Sequence, residues 1–284
     1  MRLAPKFTQR RQIIIALLRC IVAPFLVLAV LLFFAQGSMI YLPHGYTAAQ
    51  LRGDPPRLMP LSFTTDVGAQ TCFYVAPRAA GAELPARIWL VFGGNAMAAL
   101  DWSGFLMGAD ARAGFLLIDY PGYGASAGRP SPDTILAASE GAIGRLSEHL
   151  HLAAADLAGR LGVLGHSLGC AAALQYAARH PVQRAVLVAP FTSMLAMARR
   201  KVGWPLCEVL VHRFDNHARL AEILAAGAPA ITILHGDADE IIPVAMGRAL
   251  AADFPALIYC EIAGTGHNSI LHDAQAAIYA AIER

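Results

Sequence analysis

With 284 residues the chain is long enough to bury a full core, and it fits one α/β domain plus an appendage better than two domains. A net charge of +2, with no long Lys/Arg run beyond the N-terminus, argues against an electrostatic nucleic-acid binder. The hydrophobic share of 56% is high for a soluble domain, and much of the excess sits at the start of the chain.

From Cys20 to Ala35 every residue is apolar or proline, and the apolar-tolerant stretch reaches Tyr41. About 20 residues rising about 1.5 Å each cross a hydrocarbon core, so this segment is expected to be a transmembrane helix. A helix beginning at Cys20 puts Pro24 in its first turn, where a missing N–H does little harm. Arg2, Lys6, Arg10, Arg11 and Arg19 precede the span and no Lys or Arg follows until Arg52, so the N-terminus is expected in the cytoplasm and the large domain outside. Ala35-Gln36-Gly37 also resembles a small-X-small cleavage site, which leaves a removed signal peptide as the alternative. Cys20 follows Arg19 rather than a small residue, which disfavours a lipoprotein. The five cysteines show no CxxC or metal-ligand spacing; one disulfide is compatible with export, with no pair singled out.

The expected division is a cytoplasmic tail and anchor over 1–41, a Pro-rich linker over 42–60 and an α/β domain over 61–284. Within the domain, Gln70–Val75 reads as the opening strand, followed by Arg87–Phe92, which ends in Gly93-Gly94-Asn95-Ala96. Phe115–Ile118 leads into Asp119-Tyr120-Pro121-Gly122, and Ser131-Pro132-Asp133 signals the N-cap of a helix to Leu150. Leu161–Leu164 is the next strand, then a helix over Cys170–Arg179, strands at Ala185–Val188, Pro229–Leu234 and Leu257–Ile262, and a closing helix from Asp273 to Glu283. Apolar strands alternating with helices indicate a mostly parallel sheet covered on both faces, with ligands beyond the carboxyl ends of its strands. Thr192–Ala228 interrupts the alternation with Met194, Met197, Trp204, Leu206, Val209, Leu210 and Val211 beside Arg199, Arg200 and Lys201. It reads as a small cap with a membrane-facing lip, or as a helical excursion packed into the core.

Between the strand at 161–164 and the following helix lies Gly165-His166-Ser167-Leu168-Gly169. Strand, Gly-X-Ser-X-Gly, helix is the context of a nucleophile elbow, a strained turn that lifts a serine hydroxyl above the sheet beside free helix N–H groups. Serine needs a base to take its proton, and the base needs an orienting acid. Downstream the chain offers His235-Gly236-Asp237-Ala238-Asp239-Glu240-Ile241-Ile242-Pro243 and then Gly266-His267-Asn268, the order Ser, Asp, His. On residues alone both Asp237 and Asp239 are candidates for the acid.

The elbow, His-Gly-X-X-Asp-X-X-Ile-Pro and Gly-His-Asn resemble the α/β-hydrolase superfamily. Phe92-Gly93-Gly94-Asn95-Ala96, the Asp119–Ser131 segment and Pro190-Phe191-Thr192-Ser193 are similar to the branch of membrane-anchored serine hydrolases related to depalmitoylases and lysophospholipid lipases. The resemblance covers residues 38–284. It implies an α/β-hydrolase fold with a small cap, Ser167 as nucleophile, His267 as base, Asp239 rather than Asp237 as acid, and backbone N–H groups of Leu168 and Asn95 as the oxyanion hole. It implies no metal or organic cofactor. The expected activity is cleavage of an ester or thioester with a small-molecule or lipid acyl group, by a protein whose partner is the membrane and whose oligomeric state stays open. A serine peptidase or amidase of the same fold and a non-catalytic membrane-attached binding protein are the alternatives. His166 is expected to point away from the nucleophile as a filler, His235 to mark a strand end, His149, His151, His180 and His272 to be solvated, and Asp119 to be a structural acceptor. Gly93 stands where relatives usually carry histidine, which puts the rigidity of the oxyanion loop in question. Cys170 replaces a usual glycine and is expected to be buried.

Overall fold

A computed structural model describes residues 5–47, 50, 58–79, 84–106, 108–227 and 229–284. Among them lies an eight-stranded sheet: β1 (Leu58–Thr65), β2 (Gly68–Val75), β3 (Arg87–Phe92), β4 (Ala113–Ile118), β5 (Leu161–His166), β6 (Arg184–Val188), β7 (Ala230–Gly236) and β8 (Ile258–Ile262). The spatial order is β1-β2-β4-β3-β5-β6-β7-β8, and only β1–β2 and β2–β4 pair antiparallel. The central strands are buried almost throughout, as expected where helices cover both faces. Alternation along β3 shows the two faces: Ile88, Leu90 and Phe92 join one buried cluster, Trp89 and Val91 the other.

The sheet opens earlier than Gln70. Strand β1 begins at Leu58, inside the stretch read as a linker, and pairs along its whole length with β2. Pro60 hid it, yet an edge strand tolerates a proline whose missing N–H faces away from the ladder. Residues 48, 49 and 51–57 of that proposed linker lie outside the described residues. The helix Pro132–Leu150 starts as anticipated: the Ser131 hydroxyl accepts from the Thr134 N–H at 3.1 Å, and the Thr134 hydroxyl accepts from the Ser131 N–H at 2.8 Å. The closing helix is broken in two, Ile270–Asp273 and Gln275–Glu283. All five cysteines are free.

The N-terminal helix runs from Pro5 to Ile40, so Pro24 is interior and not in the first turn. The cost is one missing i→i−4 bond at the Cys20 carbonyl. Residues 1–4 of the proposed tail lie outside the described residues. The segment Leu18–Ile40, 23 residues with a mean hydropathy of 2.6, is long and apolar enough to cross a membrane. Its end packs against the Thr192–Ala228 insertion, which folds as a helix over Met194–Val202, a 3-10 turn over Leu206–Val209 and a helix over Asn216–Ala225.

Chain order reverses between β3 and β5. From β3 the chain turns outward to β4, and from β5 it proceeds the other way, leaving a crevice beyond their carboxyl ends. Gly93–Asn95 leaves β3 there, and Ser167 leaves β5.

Candidate active site

Ser167 follows β5 directly and precedes the helix Leu168–Ala177. Its backbone is held at φ 57°, ψ −119°, a left-handed region that a non-glycine residue enters only when the surroundings force it. The forcing is steric. A Cβ at Gly165 would lie 2.4 Å from the Gly169 carbonyl oxygen, and one at Gly169 would lie 2.2 Å from the Phe92 carbonyl oxygen. The two glycines therefore let elbow, helix and β3 pack backbone to backbone, and the Ser167 N–H donates to the Val188 carbonyl at 2.9 Å. Cys170 fills the space beneath, fully buried, its thiol against the Gly165 and Val188 carbonyls.

Three side chains far apart in sequence meet over this turn. The Ser167 hydroxyl lies 2.9 Å from His267 Nε2, and His267 Nδ1 lies 2.7 Å from Asp239 Oδ2. Since Asp239 accepts from Nδ1–H, Nε2 is left as acceptor for the serine proton. Asp239 is fixed at both oxygens: Oδ1 accepts from the N–H groups of Ile241 at 2.9 Å and Ile242 at 2.7 Å, and Oδ2 also faces His235 Nε2 at 3.3 Å. Burial alone would raise its pKa; hydrogen bonds from His235 and His267 outweigh that and hold the carboxyl far below the usual carboxylate range. Asp237 takes no part. It is exposed, and its Oδ1 accepts from the Gly264 N–H at 2.6 Å.

Leu168 is the first residue of its helix, where N–H groups have no intrahelical partner, and it shares a pocket wall with Asn95 and Ser167. Gly93 cannot carry a side chain here, because a Cβ would meet the Met97 Cβ at 2.8 Å. Other bonds tether the loop: the Tyr120 hydroxyl donates to the Gly93 carbonyl at 2.7 Å, and the Asn95 carbonyl accepts from the Tyr123 hydroxyl at 2.6 Å and the Leu42 N–H at 2.9 Å. Asp119 has the structural role expected of it, accepting from the Tyr46 hydroxyl and from the Ala99 and Ala125 N–H groups; burial still pushes its carboxyl up to about 6.

The sequence model of the alpha/beta hydrolase fold matches residues 90–206, from the second half of β3 through the elbow to the start of the insertion. The whole fold aligns with an esterase of Pyrococcus furiosus at a TM-score of 0.60 and 12% identity, over 86% of this chain and 96% of that one. A thioesterase domain from the curacin biosynthetic pathway aligns at a TM-score of 0.58 and 14% identity, over 80% and 99%. The chain has the α/β-hydrolase fold. Among curated relatives, an uncharacterized protein of Mycobacterium tuberculosis is 32% identical over 155 residues, 54% of this chain and 52% of its own length. Human alpha/beta hydrolase domain-containing protein 17B is 28% identical over 189 residues, 65% of this chain and 62% of its own. The matched region thus spans only one-half to three-fifths of these relatives.

Two histidines of this fold do more than sequence reasoning assigned them. His166 is not a filler turned away from the site. Its Nε2–H donates to the His267 carbonyl at 3.1 Å, and the two rings sit 5.1 Å apart. His235, fully buried, donates from Nε2 to the Ile242 carbonyl at 2.9 Å beside Asp239, with Gly247 pressed against its ring. One braces the His267 backbone and the other the acid loop. The available signal was position: one histidine adjoins the elbow and the other ends a strand four residues before Asp239.

Burial, and then the nearby His267, push the His166 imidazole down from 6.5 to about 4. The unfolded chain therefore takes up this proton as pH falls from 6.5 to 4 while the folded chain does not, so stability drops with pH across that window. At 1.36 kcal/mol per unit, the loss reaches about 3 kcal/mol at pH 4. Urea unfolding of the full chain in detergent from pH 7 to 4 should show this slope, and His166→Phe should flatten it by that amount. An unchanged slope in the variant would place the acid sensitivity elsewhere.

Proposed function

We propose that this protein is a serine hydrolase of carboxylic esters or thioesters, with lipid-like acyl substrates, working through an acyl-enzyme. The carrying observation is the unbroken Ser167–His267–Asp239 hydrogen-bond chain on a strained elbow, at 2.9 and 2.7 Å. In this reading His267 Nε2 takes the Ser167 proton as Oγ attacks the substrate carbonyl carbon. The N–H groups of Leu168 and Asn95 receive the developing oxyanion, each such donor being worth about 10²–10³ in rate. Collapse expels the alcohol or thiol with the proton returned by His267, and a water activated by the same imidazole then releases the acid and regenerates Ser167. Ionised Asp239 keeps the imidazole in the required tautomer and stabilises the imidazolium. The sequence of steps draws only on protein groups and water.

The helix Leu18–Ile40 is proposed to anchor the domain, with the N-terminus cytoplasmic and the hydrolase outside. The pocket over Ser167 supports an acyl substrate. Its walls include Phe191, Met194, Met197, Val202, Leu206 and Ile242. That the structural neighbours include an esterase and a thioesterase domain accords with this chemistry.

An alkyl fluorophosphonate probe tests the proposal. Ser167 should be labelled, His267→Ala should remove the labelling, and a p-nitrophenyl ester series from acetate to palmitate should be hydrolysed with loss of activity in Ser167→Ala. A silent probe together with no Ser167-dependent hydrolysis would overturn the proposal and leave a binding protein.

A further inference from the structure

The N-terminal helix supplies one wall of the pocket. Leu32, Gln36, Met39 and Ile40 line it opposite the insertion, and their spacing places them on one helix face. Gln36 is the one amide in this apolar run, and it is buried and bonded. Its Oε1 accepts from the Val211 N–H at 2.6 Å, and its Nε2 donates to the Phe33 carbonyl at 2.8 Å and the Val209 carbonyl at 3.4 Å. That side chain fastens the helix to the insertion. One turn later the Ile40 carbonyl, which the helix itself leaves without a partner, accepts from Asn95 Nδ2 at 3.1 Å. The loop proposed to hold the oxyanion is therefore tied to the end of the same helix.

The rest of the helix faces outward with apolar side chains, Phe34 79% exposed among them. At about 1.5 Å per residue the Leu18–Ile40 segment reaches about 35 Å, against a hydrocarbon thickness of about 30 Å, so its last turn and the pocket beside it fall at the bilayer surface. The insertion is dressed for that level. Lys201 lines the pocket, with Arg199 and Arg200 exposed before it and Trp204 exposed after it, and Trp with basic residues is the composition of an interface meeting anionic headgroups.

We infer that the acyl chain of the substrate lies between the N-terminal helix and the insertion and enters from the bilayer, so that the substrates are membrane-resident acyl esters or thioesters. This rests on the serine-hydrolase reading for the bond that is cut, but not for where the chain lies. It also makes the helix a working part of the enzyme, since cleavage at Ala35-Gln36-Gly37 would remove Leu32 from the wall and Gln36 from the insertion.

The test uses the full chain in phosphatidylcholine–phosphatidylglycerol nanodiscs. Leu32→Trp, which fills the pocket, should lower the palmitate-to-acetate ratio of kcat/KM by about tenfold or more, and Leu32→Ala should move the optimum toward longer chains. Phe34→Trp, on the outward face, should leave the profile as in the unmodified protein. Identical profiles in the Leu32 variants and the unmodified protein would overturn the inference. If the unmodified protein hydrolyses no ester and takes no fluorophosphonate, the failure is that of the serine-hydrolase reading. A diazirine-bearing palmitate then decides the pocket: capture reduced by Leu32→Trp and not by Phe34→Trp supports it, and equal capture in all three overturns it.

Discussion

Asp239→Asn should lower turnover by up to about 10⁴ with the fold intact, because an amide can present its NH₂ to His267 Nδ1 and stabilise the tautomer that no longer accepts the serine proton. Asp239 is the residue on which this depends. Its Oδ2 is 2.7 Å from His267 Nδ1, and its other oxygen is already committed to two backbone N–H groups. Asp237, two residues earlier, is turned to the Gly264 N–H instead, so Asp237→Asn should leave turnover within about twofold, as surface changes away from a working contact do. Parallel kcat measurements on the two variants decide the assignment. A large loss in Asp237→Asn with little change in Asp239→Asn would reverse it. On the proposed mechanism the loss in Asp239→Asn should fall on kcat more than on KM, since the imidazolium that Asp239 would stabilise forms only during reaction.

Much of this arrangement was legible in the sequence for local reasons. A glycine-flanked serine between a strand and a helix has few conformations open to it, and the parallel sheet follows from apolar runs alternating with helices. Ser167 and the His235-Gly236 turn were read just past strand ends, and the chain order Ser, Asp, His was plain from the motifs. What stayed hidden depended on how side chains face one another across elements. His166 and His235 look like punctuation in the sequence, and only the packing shows that they hold the backbone of His267 and the loop of Asp239. Strand β1 was masked by Pro60, whose prohibition applies to central strands and not to an edge. The N-terminal helix was read correctly as an apolar span of membrane-crossing length, yet its share in the pocket was invisible because a uniformly apolar run has no periodicity to mark an inner face. Gln36 was the available clue, since a lone amide in such a run needs partners, and the insertion supplies them.

Gly169→Ala should damage both stability and activity although it adds a single methyl group. The added Cβ would stand 2.2 Å from the Phe92 carbonyl oxygen and 2.6 Å from that of Gly93, and both obstacles are backbone, so no rotamer change relieves the clash. Either the helix Leu168–Ala177 lifts away from β3 or the Gly93–Asn95 loop is displaced. Overpacking of this kind costs about 1–3 kcal/mol or more, and a shift near 1 Å between Ser167 and the Asn95 N–H would remove about 10² in rate as well. Gly144→Ala is the matching control: it lies in the helix Pro132–Leu150 with nothing within 4 Å of an added Cβ. There the methyl group should stabilise by about 0.5–1 kcal/mol through the lower entropy of the unfolded chain. Urea midpoints and ester turnover measured on both variants separate steric need at the elbow from a general dislike of alanine. Gly169→Ala folding as stably as the unmodified protein, with full activity, would mean that the close approach of β3 to the elbow helix is not what holds the site in shape.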